Sequence, residues 1–335
     1  MQRTLTYAEK VLVYGARAWR LVAGDRSALE GLAKRKFRKL WRKEAGQDFL
    51  QWSNKNYLII QSKQDPDPRV GIFLRGGCDL PAMFLMAPWM REGVKGTIAI
   101  ARPPGMIGAS HTRQLLQSLE DLPDEIVGET CHRLKLSRDF FRPILFQDTF
   151  AIQDFSRIGE FPKTVIILSL GTDLTRPMYR HREHGFLVDI GGWWRNQSME
   201  KALQDLEAAK WFKSHFESVG RIDVDEFKLA FTQLMKEIRA RVGAHVIVFN
   251  HLAVEPHNPV HNYQLLGRTP VFRRREFLLA LAELSGELDF HIIDMDRVLK
   301  EQGVHEQVDF AHPSIENMIP LAQEGYRILK ELEVF

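Results

Sequence analysis

The apolar positions of the chain follow two rhythms. Tyr7–Ala23 and Ser27–Ala45 repeat them every three or four residues, one face of a helix, with Gly24-Asp25 between. Asn56–Ser62 predicts a short strand. Gln64–Arg69, with two prolines and two aspartates, reads as a turn-rich linker. We expect a helical N-terminal appendage over residues 1–66 and an α/β domain over 67–335.

Beyond the linker, short continuous apolar runs alternate with helical faces. Val70–Leu74, Thr97–Ala101, Thr164–Leu170, His245–Phe249 and Phe290–Ile293 predict strands. Between and after them, Leu80, Met83, Phe84 and Ala87 share a helical face. Ser110–Leu119, Met199–Phe216, Val224–Val242, Phe272–Leu284 and Ile315–Leu332 also read as helices. Strands apolar on every position are strands covered on both sides, so the pattern predicts a parallel sheet between two helical layers. Residues 121–160 and 176–197 lack a clear period and are expected to be insertions near the mouth of a site.

Composition narrows the class. The 335 residues suit two domains or one large one, and 44% hydrophobic with 27% charged residues excludes wholesale disorder. The longest apolar run, Leu80–Met90, is far short of the ~20 residues of a membrane-spanning helix. Met1–Gly24 lacks the features of a secretory signal. Cys78 and Cys131 make no disulfide framework, and we expect a cytoplasmic location with reduced thiols. The net charge of +3 is local in origin, because Lys34–Lys43 concentrates basic residues and the remainder is net acidic. That stretch reads first as a solvated helix face, with an anionic partner the less favoured alternative.

Parallel sheets place their sites beyond the carboxyl ends of the strands. The first strand is followed by Gly76-Gly77-Cys78-Asp79, where glycines permit close backbone approach and Cys78 stands at a helix mouth. The neighbouring charge of Asp79 opposes thiolate formation, and a small buried hydrophobe is the alternative reading of Cys78. Gly171-Thr172-Asp173 follows the third strand, with Arg176 close behind; turn capping is the alternative role for Asp173. Asp294 and Asp296 follow the fifth strand, and Asp309-Phe310-Ala311-His312 precedes the last helix. A carboxylate three residues before a histidine can fix its tautomer for general-base work, although a turn carboxylate beside a surface histidine has the same spacing.

In this order the blocks resemble the SGNH/GDSL hydrolase-like superfamily over about Arg69 to Leu332. The resemblance implies a flavodoxin-like three-layer α/β/α fold and an acyl hydrolase or acyltransferase acting on an ester or thioester. The family's Gly-Asp-Ser is Gly76-Gly77-Cys78 here, a divergent form with cysteine in the nucleophile position; its Gly-x-Asn is Gly171-Thr172-Asp173. The implied catalytic residues are Cys78, His312 and Asp309. Gly77, Gly105, Gly108, Asp173 and Arg176 would line the oxyanion and substrate site. An ionised Asp173 would repel an oxyanion, whereas a protonated one could donate to it. Ser110, in Gly108-Ala109-Ser110-His111-Thr112, is an alternative nucleophile but reads more simply as a helix cap.

The implied substrate is a small-molecule or saccharide acyl compound, with no cofactor beyond a coenzyme A thioester as donor in a transferase. No metal site is expected, since the histidines in 181–184 and 251–261 lack zinc-like spacing and suit substrate lining better. Arg273-Arg274-Arg275 opens a helix against its dipole, which suits an anionic group or an exposed face. Loss of both the serine and the asparagine raises a reading from another class: a catalytically inactive SGNH-like module that binds a partner through its cleft and its basic N-terminal helix.

Overall fold

The computed structural model describes residues 42–46, 48–53, 57–76, 80, 95–101, 111–146, 161–189, 203, 205–253, 270–302 and 315–334. Its centre is a sheet built from β1 (Arg42–Ala45), β2 (Phe49–Ser53), β3 (Tyr57–Ser62), β4 (Pro68–Arg75), β5 (Thr97–Ala101), β6 (Lys163–Ser169), β10 (His245–Phe249) and β11 (His291–Ile293). The spatial order is β1-β2-β3-β5-β4-β6-β10-β11. β5, β4, β6, β10 and β11 pair in parallel, and β3 joins β5 antiparallel. In order of appearance the parallel strands run 2-1-3-4-5, the flavodoxin-like arrangement, whose switch point lies between the first and third strands.

The strand sequences explain the layering. Alternate residues of β4, Val70, Ile72 and Leu74, join one apolar cluster, while Phe73 joins the cluster on the opposite face. The first cluster takes in Val298 and Leu299 of α7 (Met295–Gln302) and Leu321, Ile328 and Leu329 of α8 (Ile315–Glu331). The second packs β6 and β10 against α1 (Thr112–Gln117), α5 (Val224–Arg241) and α6 (Pro270–Leu288). On α5, Phe227, Phe231, Leu234, Met235 and Ile238 form the buried stripe, each contributing roughly 1.5–3 kcal/mol of apolar burial. Asp223 caps its first turn by accepting from the Glu226 amide at 2.8 Å, and Gly243, at φ 64°, follows its end in a conformation that favours glycine.

Four expectations change. The helix expected to reach Ala45 is strand β1 from Arg42 onward, and residues 1–41 lie outside the described residues. Glu44 and Ala45 pair with Gln51 and Leu50 across a turn closed by the Gly46 amide on Phe49, so ladder hydrogen bonds override local helix propensity. Strands on the N-terminal side of the 64–69 linker thus extend the central sheet, and β4 already begins at Pro68. The stretches without clear period are partly regular: α2 (Asp124–Leu134) lies in the first, and β7 (Met178–His181) with β8 (Leu187–Val188) in the second. The helix expected to run through Phe216 stops at His215 as α4 (Leu206–His215) and leads into β9 (Phe216–Gly220). β8-β7-β9 forms a second sheet, packed with α2 and α4 around Cys131, Phe186, Val188 and Phe212. Such short strands bearing arginine and histidine carry almost no periodic signal.

Candidate functional site

At the switch point, β4 delivers Arg75 and Gly76 beside the end of β6. The fit is close: a Cβ on Gly76 would stand 2.5 Å from Ser169 Cβ and 2.7 Å from Leu80 Cδ1. Glycine is needed here because the Ser169 and Leu80 side chains approach so closely, not because of an unusual φ. Ser169 Oγ accepts from the Gly171 amide at 3.2 Å, opening the short helix α3 (Gly171–Thr175). His251, two residues past β10, reaches the same place: a Cβ on Gly171 would be 3.3 Å from its Nε2.

Asp173 is buried in α3. Its Oδ1 accepts from the Thr112 amide at 3.0 Å, and the Thr112 hydroxyl donates to Oδ2 at 3.1 Å. His111, fully buried, places Nδ1 at 3.3 Å from Asp173 Oδ1 while accepting from the Arg113 amide at 3.3 Å. Accepting at Nδ1 leaves the ring proton on Nε2. Burial pushes the Asp173 carboxyl up to about 7 and the His111 imidazole down to about 3, the latter helped by nearby Arg113, Arg273 and Arg176. The two groups therefore form a neutral pair, not an ion pair, over most of the acid range. Thr112, Leu115, Leu168, Ser169 and Asp173 line a cavity of about 10 Å³, room for roughly one water.

The sequence-selected residues fall into three groups. Cys78, His312, Asp309, Gly77, Gly105, Gly108 and Ser110 lie outside the described residues. Asp173 stands at the switch point, but its oxygens are turned onto Thr112. It anchors the residues immediately following the 105–110 segment. Arg176 is only 6% exposed and donates to the buried Asp189 at 2.6 Å, so its charge is directed into the protein. The insertion residue that neutralises it carries no periodic signal in the sequence.

The other charged candidates are also used internally. Arg273 donates to the carbonyls of Asp173, Leu174 and Ile222 and stacks over Phe277. Those free carbonyls explain arginine at a helix start better than a bound anion does. Arg275 and Lys300 meet Asp296, which in turn accepts from the Ala253 amide, and Asp294 accepts from Asn250 and from the Arg297 amide. These contacts tie the loop after β10 to the end of β11. His181 packs on Phe186, Phe216 and the rings of His184 and His215 in the second sheet. Among the described residues, no cluster of histidine, cysteine and carboxylate groups could hold a metal, and no helix is long and apolar enough to cross a membrane. His257 and His261 lie outside the described residues.

Sequence reasoning passed over Arg75 and His111. Arg75 is 3% exposed, and its Nε and Nη1 meet no acceptor among the described residues. An arginine ending an otherwise apolar buried strand was a visible signal. His111 could be suspected only once its partner Asp173 was known.

The class defined by strand order and layering is a flavodoxin-like α/β/α fold with its switch point at β4 and β6. No family model and no curated protein matches the chain. Among solved structures it is similar to an acetylxylan esterase of Geobacillus stearothermophilus, with 10% identity, 78% of this chain and 94% of that one covered, and TM-score 0.39. A protein described as a GDSL-like lipase of Parabacteroides merdae gives 9%, 81%, 99% and 0.41. Phospholipase A1 of Streptomyces albidoflavus gives 9%, 76%, 98% and 0.33. Likeness at this level identifies neither reaction nor ligand.

Proposed function

We propose that the protein is an acyl hydrolase or acyltransferase of the SGNH/GDSL-like type, with Cys78 as nucleophile, His312 as general base and Asp309 orienting the imidazole. The observation that supports this most is the switch point. The strand order brings the end of β4, two residues before Gly77-Cys78, against Ser169 and the Gly171–Asp173 turn. Parallel sheets of this topology bind ligands there.

In the proposed reaction His312 takes the Sγ proton of Cys78 and the thiolate adds to the acyl carbonyl. The tetrahedral intermediate collapses with cleavage of the ester or thioester bond, and the imidazolium returns the proton to the leaving group. Water, or a hydroxyl or amine of a small molecule or saccharide, then attacks the acyl-Cys78 thioester and regenerates the thiol. Backbone amides of Cys78 and of Gly105 or Gly108 stabilise the oxyanion, each donor contributing ~3–4 kcal/mol. Asp173 is assigned a positioning role, because both its oxygens serve Thr112. His251 is assigned to substrate lining, because it stands over Gly171. In a transferase the acyl donor would be a coenzyme A thioester.

The test is acylation of the full chain by 4-nitrophenyl acetate, followed by peptide mass mapping. A burst of nitrophenolate and one acetyl group on Cys78, both lost in Cys78→Ala and slowed in His312→Ala, is the expected result. The engagement of both Asp173 oxygens with Thr112, away from any oxyanion, supports a second reading, an inactive binding module. That reading requires Cys78 to acylate no faster than a free thiol.

A further inference from the structure

Arg75 has the properties of an anion receptor. It is the last residue of β4, on the carboxyl edge of the sheet, beside the switch point. Strand alternation puts its side chain on the face of Phe73, and its Cα pairs in register with Leu168, a wall of the cavity shared by Thr112 and Asp173. The side chain is buried, yet two of its donor nitrogens, Nε and Nη1, find no acceptor among the described residues. Another buried cation, Arg176, has its carboxylate in Asp189 at 2.6 Å, which shows how this protein neutralises a charge meant for structure. Arg75 shows no such partner among the described residues. Desolvation lowers its pKa only to about 9, so the guanidinium keeps its charge at neutral pH.

A buried charge with open donors is expensive to maintain, and the expense is recovered only when an anion arrives. A guanidinium presents parallel N–H groups that match the oxygens of a carboxylate or a phosphate. We propose that Arg75 binds an anionic group of the substrate, a carboxylate or a phosphate, at the switch point. This rests on the acyl-transfer reading for what the anion is attached to: the acyl substrate is itself an anion, carried in charge first to the edge of β4.

The test measures binding without turnover, so that an inert protein and a wrong anion site give different results. Thermal unfolding of the full chain is followed in inorganic phosphate, in succinate and in chloride of equal ionic strength. Near-saturating anion should raise the wild-type midpoint by roughly 3–5 °C over chloride. Arg75→Met should abolish that shift, and Arg75→Lys, which keeps the charge but not the fork, should weaken the apparent affinity at least tenfold. A response to phosphate alone identifies a phosphorylated substrate, and a response to succinate alone a carboxylate. If neither anion shifts the wild type, or Arg75→Met responds equally, the proposal is overturned. Should Arg75→Met fail to fold, unchanged affinity in Arg75→Lys overturns it and a tenfold loss supports it. An Arg75-dependent shift in a protein that never acylates Cys78 keeps the anion site and removes the acyl-transfer reading.

Discussion

The Asp173–His111 pair makes a prediction with an unusual sign structure. In the unfolded chain, between about pH 4 and 6.5, Asp173 is ionised and His111 protonated, so the two together hold one proton. In the folded protein Asp173 is protonated and His111 neutral, again one proton, because their values are about 7 and about 3. Equal proton numbers give no slope, so the pair leaves wild-type stability nearly independent of pH across this window. Removing one partner exposes the other. In Asp173→Asn, an isostere that can still accept from the Thr112 amide, only His111 remains. Its folded value is depressed, so unfolding takes up a proton and stability falls as the pH drops. The limiting slope is about 1.4 kcal/mol per pH unit, and because the unfolded imidazole is only half protonated at pH 6.5 the loss between pH 6.5 and 4.5 is roughly 2 kcal/mol. In His111→Gln, Asp173 remains with a raised value. Its contribution is complete below about pH 4 and is lost as the pH rises through about 7. Both shifts come first from burial rather than from the partner, so each survives the loss of the other. Urea unfolding of the three proteins at pH 6.5, 5.5 and 4.5, expressed as differences from wild type, cancels the other titrating groups. Differences that stay constant across the window, or slopes of the same sign in the two variants, would refute the neutral pair.

Other expected outcomes follow from particular contacts. Gly76→Ala should cost about 1–3 kcal/mol in urea unfolding, because Ser169 Cβ is fixed to a buried strand and cannot swing aside; Ser169→Gly in that background should recover part of the loss, and strict additivity would contradict the close approach. Arg176→Met should destabilise by about 3–5 kcal/mol by stranding the Asp189 charge, and the double variant with Asp189→Leu should lose much less than the two single losses together. His251→Gln should leave the urea midpoint nearly unchanged and raise KM for the nitrophenyl ester; an unaltered KM would remove it from the substrate wall.

The sequence by itself determined the strands that matter most. Each of β4, β5, β6 and β10 is a short unbroken apolar run, and such a run has few stable fates other than a strand covered on both faces. The long helices were equally legible, since the stripe of α5 and its Asp223 cap are local features. Alternation then implied a parallel sheet, and the site blocks followed from where those strands end. Tertiary structure alone decided the rest. Residues 42–45 became an edge strand because a neighbouring strand supplied hydrogen bonds that a helix would otherwise have made internally. The second sheet formed from segments too short to show a period. Protonation at Asp173 and His111, the pairing of Arg176 with Asp189 and the Arg75 Nε and Nη1 donors that meet no acceptor among the described residues are set by burial and by neighbours distant in the chain. Dielectric environment is a property of the folded volume around a group, and no local pattern of residues encodes it.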